Sequence, residues 1–190
     1  FRSVAALEVR APMATVALGT GDGTLEVGGE SVLFRHDGRF EHATAIAVRI
    51  DDAMPESEVE GRLERFRRLR YEMLGLVLRP EIVAVAAASG DAGRFAGLVS
   101  RVVGETDAGV ILMSEDAAVL AAGVEACGDR RPLLLGATVE NADEVAAIAE
   151  GCAVAARAQG IEALADLVGR LQKAGVEEIV LDTGARDPGR

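Results

Sequence analysis

The six residues Ile82-Val83-Ala84-Val85-Ala86-Ala87 carry no polar side chain and are rich in β-branched and small apolar types. A run of this length, with Pro80 before it and Ser89-Gly90 after it, predicts a strand buried on both faces, as in a parallel sheet covered by helices. Similar apolar runs lie at 46–50, 110–114, 133–138, 153–157 and 178–181. Their starts are spaced by roughly 20 to 36 residues, the length of one strand–helix unit.

The segments between these runs have helical periodicity. Residues 56–76 put Val59, Leu63, Phe66, Leu69 and Met73 on one stripe with Arg and Glu opposite, and Pro55 and Glu56 open the helix. Residues 92–105 present Phe95, Leu98, Val99 and Val102 in the same way. Helices are also predicted over 117–127, 142–150 and 161–174, the last closed by Gly175. Six such strands leave two architectures, a doubly wound sheet or a TIM-type (β/α)8 barrel that lacks its last units. Near-uniform units, and no Gly-x-Gly-x-x-Gly turn after the first strand, favour the barrel. The expected fold is therefore α/β, an incomplete TIM barrel of about six parallel strands.

The first 44 residues break this rhythm. Runs at 14–19 and 24–27 are strand-like and joined by Thr20-Gly21-Asp22-Gly23, a hairpin signal. This glycine-rich turn lacks the Gly-Lys-Ser/Thr ending of a phosphate loop and leads into a strand, not a helix. A second turn, Gly28-Gly29-Glu30, leads into 31–34. The expected organisation is an antiparallel lead-in hairpin over 1–44, covering one end of a partial barrel over 45–190. The chain begins at Phe1 and closes on Arg186-Asp187-Pro188-Gly189-Arg190, so both ends are expected to be cut from something longer.

Composition narrows the function classes. The chain is 49% hydrophobic but 3% aromatic, so its core must be built of Ala, Val, Leu and Ile. Its 20 basic residues against 31 acidic ones give a net charge of −11, which argues against nucleic-acid binding. Arg62, Arg65, Arg67, Arg68 and Arg70 cluster, but they alternate with Glu and Leu at helical spacing and read as a solvated helix face. Cys127 and Cys152 are the two cysteines; neither has a close partner, and buried thiols in a reducing compartment are expected. No run is long enough to span a bilayer, and the expected location is cytoplasmic.

The stretch Gly28-Gly29-Glu30-Ser31-Val32-Leu33-Phe34-Arg35-His36 resembles a segment of the large corrinoid iron–sulfur subunit (gamma subunit) of acetyl-CoA decarbonylase/synthase complexes. Phe40-Glu41-His42, Ala45-Ile46-Ala47-Val48, Leu78-Arg79-Pro80, Ser114-Glu115-Asp116 and Asp129-Arg130-Arg131-Pro132-Leu133-Leu134 resemble further segments of that family, in the same order. The resemblance covers about residues 14 to 184 and points to the family's central TIM-barrel domain. It implies anaerobic one-carbon metabolism by the reductive acetyl-CoA (Wood–Ljungdahl) route. There the full-length subunit, carrying a cobalt corrinoid and a [4Fe–4S] cluster, shuttles a methyl group from a methyl-pterin to acetyl-CoA synthase. The implied partners are the smaller barrel subunit, a methyl-pterin methyltransferase and acetyl-CoA synthase. Two cysteines cannot supply four thiolates, so no cofactor is expected in this segment, and the N-terminal iron–sulfur and C-terminal corrinoid domains are absent from it.

Barrels place function at the C-terminal ends of their strands. Those positions hold Asp51, Asp52, Ser89, Asp91, Ser114, Glu115, Asp116, Thr138, Asn141 and Asp182. Ser114 and Asp116 also suit an N-cap of the following helix, and Asn141 or Asp143 the next one. The candidate ligand-binding residues are Glu115, Asp182, Asn141 and Ser114. The two last-named have a structural alternative, whereas a carboxylate at a strand end has no propensity reason to be there. Arg35, His36 and His42 are read as interface or structural residues, since the six-residue spacing of the histidines is no ligand pattern. No serine sits in a G-x-S-x-G setting, so a hydrolase has no support, and no catalytic residue or metal site is assigned. The expectation is a scaffold and subunit-interface segment, non-catalytic alone, that associates through its open edges. The alternative is a methyl-pterin-binding barrel of a methyltransferase.

Overall fold

The computed structural model describes residues 13–19, 24–31 and 39–184. Two short strands, β1 (Thr15–Leu18) and β2 (Leu25–Gly28), form an antiparallel hairpin with Val16 opposite Val27. β3 (Glu30–Ser31) and β4 (Arg39–Phe40) make a second short antiparallel pair. Residues 32–38, with Arg35 and His36, lie outside the described residues.

The main sheet begins at β5 (Ala47–Asp51), which is followed by α1 (Glu56–Arg68). A hairpin of β6 (Tyr71–Met73) and β7 (Leu76–Leu78) comes next. Four further strands then alternate with helices: β8 (Ile82–Ala86), α2 (Ala92–Glu105), β9 (Gly109–Met113), α3 (Ala117–Cys127), β10 (Leu133–Ala137), α4 (Ala142–Ile148) and β11 (Ala153–Arg157). The last elements are α5 (Ile161–Lys173) and β12 (Ile179–Asp182).

The six strands lie side by side in the order β5-β8-β9-β10-β11-β12, every pair parallel. Chain order and spatial order coincide. A doubly wound sheet would reverse direction at a switch point; this one winds a single way, and right-handed crossovers then put every helix on the same face. Among the described residues β5 and β12 are the two edges and do not pair with each other, so no closed barrel forms.

The alternation of side chains sorts the core into two layers. Val83 and Val85, Val110 and Leu112, Leu134, Val154 and Ala156 face the helices, where Phe95, Val99, Val102, Leu120, Leu167 and Leu171 are fully buried. Ile82, Leu133, Ala153 and Ala155 face the other way and meet Val16 and Leu18 of the first hairpin. β8 is buried at all five positions, as its unbroken apolar run requires. Asp116 caps α3 by accepting from the Ala118 and Val119 amides, and Asp91 caps α2 through the Arg94 amide.

One predicted element is corrected. The helix over 56–76 ends at Arg68, and the stripe positions Leu69 and Met73 are exposed. Residues 71–78 turn back as a hairpin instead, with Leu74 (φ 52°) and Gly75 (φ 80°) at its tip. Two consecutive residues at positive φ define the turn that matches strand twist, and neither can continue a helix. The Leu and Met spacing was compatible with both periods, and the glycine decided it. Arg70 accordingly lies beyond the helix. The arginines within the helix do form a solvated face: Arg62 pairs with Glu58 and Arg68 with Glu64, each at 2.9 Å. α4 also stops two residues before the predicted position 150.

Candidate functional site at the strand ends

The C-terminal ends of the strands carry the polar residues the sequence singles out, and two of them, Asp52 and Asn141, are heavily hydrogen-bonded within the chain. Asp52, just past β5, is buried. Its carboxylate accepts from the amides of Ala88 and Ser89 at 2.7 Å each and from the Ser89 hydroxyl. Burial works against its charge, but these bonds and the nearby Arg94 guanidinium outweigh it and hold the carboxyl below its ordinary range. Arg94 also donates to the Asp52 carbonyl at 2.8 Å. Asp52 therefore fastens the end of β5 to the loop after β8.

Asn141 does the same two strands further on. Its Oδ1 accepts from the Thr138 amide at 2.7 Å and the Thr138 hydroxyl at 3.3 Å, and its Nδ2 donates to the carbonyls of Glu115 (2.7 Å) and Gly136 (2.9 Å). All four bonds an amide side chain can make are occupied. Asn141 does not cap α4 with its side chain, contrary to one of the two sequence readings. It ties the loop after β9 to the end of β10. Gly136 permits this approach: a Cβ there would lie 1.7 Å from the Ser114 carbonyl oxygen.

The other candidates are less engaged. Ser114 Oγ accepts from the Asp116 amide at 3.1 Å. Glu115 is exposed, its carbonyl engaged by Asn141. Asp182 accepts from the Gly184 amide at 2.8 Å and lies 3.7 Å from the Arg157 guanidinium on the neighbouring strand. Ser114, Glu115 and Asn141 are thus gathered at one place, with Asp182 set apart on the open edge strand. His42 is not among them; its Nε2 lies 3.6 Å from Glu26 on β2.

Sequence reasoning assigned no work to Arg130 and Arg131, which organise the opposite end. Arg130 donates to the carbonyls of Ala108, Val103 and Thr106. Arg131 donates to Gly151 and to Glu178 (3.2 Å), whose other oxygen accepts from the Ala17 amide of β1. The available signal was two arginines directly before an apolar strand. A cleft of about 1060 Å³ also lies at this end, not at the strand C-termini.

The two thiols are buried as expected. Burial pushes Cys127 up to about 12, with Cys152 adding to the effect and Arg130 opposing it. Burial raises Cys152 also. These are poor thiolates, and among the described residues no three His, Cys, Asp or Glu side chains converge as a metal site would need. The described residues do not fit an iron–sulfur cluster.

Fold and site together define a singly wound, partial (β/α) barrel with a hairpin packed against the helix-free face of its sheet and strand-end loops fastened by side chains. From residue 15 to 190 the sequence matches the family described as CO dehydrogenase/acetyl-CoA synthase delta subunit, and the chain belongs to that family. It is 35% identical over 181 residues to the corrinoid/iron–sulfur protein large subunit of Moorella thermoacetica, covering 94% of this chain and 41% of that protein. It is 34% identical over 176 residues to the acetyl-CoA decarbonylase/synthase complex subunit gamma of Methanopyrus kandleri, covering 91% and 38%. It is also 32% identical to subunit gamma 2 of Methanosarcina mazei, covering 92% and 38%. The chain spans about two fifths of the length of the curated relatives it matches. Among the described residues no helix is long and apolar enough to cross a membrane.

Proposed function

We propose that this chain is the central barrel segment of a corrinoid iron–sulfur methyl carrier, acting as scaffold and subunit interface. The carrier takes a methyl group from a methyl-pterin and delivers it to acetyl-CoA synthase. Its corrinoid and iron–sulfur cluster are held by regions other than the residues described above. Residues 1–44 cover one end of the barrel, and the smaller barrel subunit is the principal neighbour. The observation that carries this reading is the use of Asp52 and Asn141 to fasten strand-end loops, which occupies all four hydrogen bonds of Asn141 and three acceptor sites of Asp52. The unpaired edge strands β5 and β12 support it too, because a sheet with open edges calls for further chain beside it.

The test uses the full-length carrier with and without the smaller barrel subunit. Scaffold function predicts co-elution as a defined complex on size exclusion with light scattering, and no saturable heat on titrating the carrier with methyltetrahydropterin. The rival reading, a methyl-pterin site built on Asp182, Asn141, Glu115 and Ser114, predicts saturable binding lost in Asp182→Ala. That result would replace the scaffold reading.

A further inference from the structure

The hairpin of β6 and β7 leaves the fold at the N-terminal end of β8, away from the strand-end polar set. Its register places Tyr71 opposite Leu78 and Met73 opposite Leu76, so four large apolar side chains share one face. All four are exposed, and so are Leu69, Leu74 and Val77. An isolated two-stranded hairpin is marginal in water, and an apolar face without cover adds nothing to its stability.

The tip makes the same point independently. Leu74 is 96% exposed and sits at φ 52°, a conformation that Asn or Gly adopts with far less strain. A leucine there breaks the local turn preference without a compensating contact among the described residues. Such departures are expected at functional positions.

Charge states what the cover must be. Although the chain carries −11, the hairpin's base is basic: Arg70 immediately precedes Tyr71 and Arg79 immediately follows Leu78. Both line the large cleft at the barrel base together with Arg67. Arg67 is paired with Glu105 at 2.8 Å, whereas Arg70 and Arg79 have no partner among the described residues. A second copy placed symmetrically on this face would bring these arginines toward their own counterparts. A second copy placed head-to-tail would build a ring or an open filament instead of a closed pair.

We infer that the hairpin Tyr71–Leu78 is a docking arm for a different protein, one that offers an apolar pocket to Leu74 and Leu76 and carboxylates to Arg70 and Arg79. Resting on the function proposed above, the occupant is a partner subunit of the carrier's complex, with the smaller barrel subunit as the probe. Apolar anchors ringed by guanidinium groups are the usual composition of an interface centre, where a few residues dominate the affinity.

The experiment measures association of the full-length carrier with the smaller barrel subunit by sedimentation velocity. Wild type is compared with Leu74→Asn, Leu76→Thr and Arg70→Glu/Arg79→Glu. Asparagine suits the tip conformation and threonine suits a strand, so both apolar variants should melt no lower than wild type yet bind at least about tenfold more weakly. The charge reversal should weaken binding comparably and remove much of its salt dependence. Wild-type affinity in all three variants overturns the docking arm while leaving the scaffold reading in place. No association by wild type overturns both. Self-association of the carrier alone that disappears in Leu74→Asn replaces the partner with a second copy.

Discussion

Two hairpins of similar size flank the start of the sheet and meet opposite fates. In the first, β1 and β2, Val16 and Leu18 are buried against Ile82, Leu133 and Ala153, and the Ala17 amide is bound by Glu178. In the second, β6 and β7, every residue is exposed. The first has the sheet's helix-free face to cover; the second projects from a connection and has nothing beneath it among the described residues. Apolar residues at the right alternation make a hairpin in both, but burial depends on the surface opposite.

The largest expected effect sets the two against each other directly. Leu18→Ala removes a side chain that is 1% exposed and should cost about 2–5 kcal/mol in urea denaturation. Leu76→Ala should stay within about 0.5 kcal/mol. Equal costs would mean that the first hairpin is no part of the core, or that the second is covered within the chain.

A smaller effect concerns the mouth. Asp52→Asn should cost about 1–3 kcal/mol at neutral pH, since it discharges a buried acceptor of three hydrogen bonds. The wild-type contribution has a definite pH sense. The folded carboxyl lies below its unfolded value of about 4, so its stabilisation is complete above that pH and is lost as pH falls through the folded value. Denaturation midpoints measured down the acid range should converge for wild type and Asp52→Asn. Parallel curves would show that the charge of Asp52 does not stabilise the fold.

The smallest effect has the opposite sign. Leu74→Asn relieves a left-handed leucine and should raise stability by up to about 1 kcal/mol, seen as a small increase in Tm. A clear loss instead would show that Leu74 packs within its own chain.

The parallel strands were legible because each is a short run, mostly apolar, whose length, flanking breakers and β-branched content separate a strand from a buried helix. The inner strands are buried on both faces, while β5 and β12 are partly exposed edges. Asp116 was legible as a cap because capping joins neighbours in sequence. The candidate site was legible only as a list of positions. Ser114, Glu115 and Asn141 do meet, but Asn141 reaches the Glu115 carbonyl across 26 residues of chain, and no local pattern encodes that bond. The helix expected to continue to residue 76 failed where Leu69, Met73 and Leu76 fit two periods at once.

By itself, then, the sequence determined the number of sheet strands, the two-sided burial of the inner ones and the Asp116 cap, because each follows from the chemistry of adjacent residues. Only the tertiary structure decided which hairpin is buried, that Arg130, Arg131, Asp52 and Asn141 fasten the two ends of the barrel, and that β5 and β12 are left as edges. Those outcomes depend on surfaces brought together from distant parts of the chain, and they exist only once the sheet has formed.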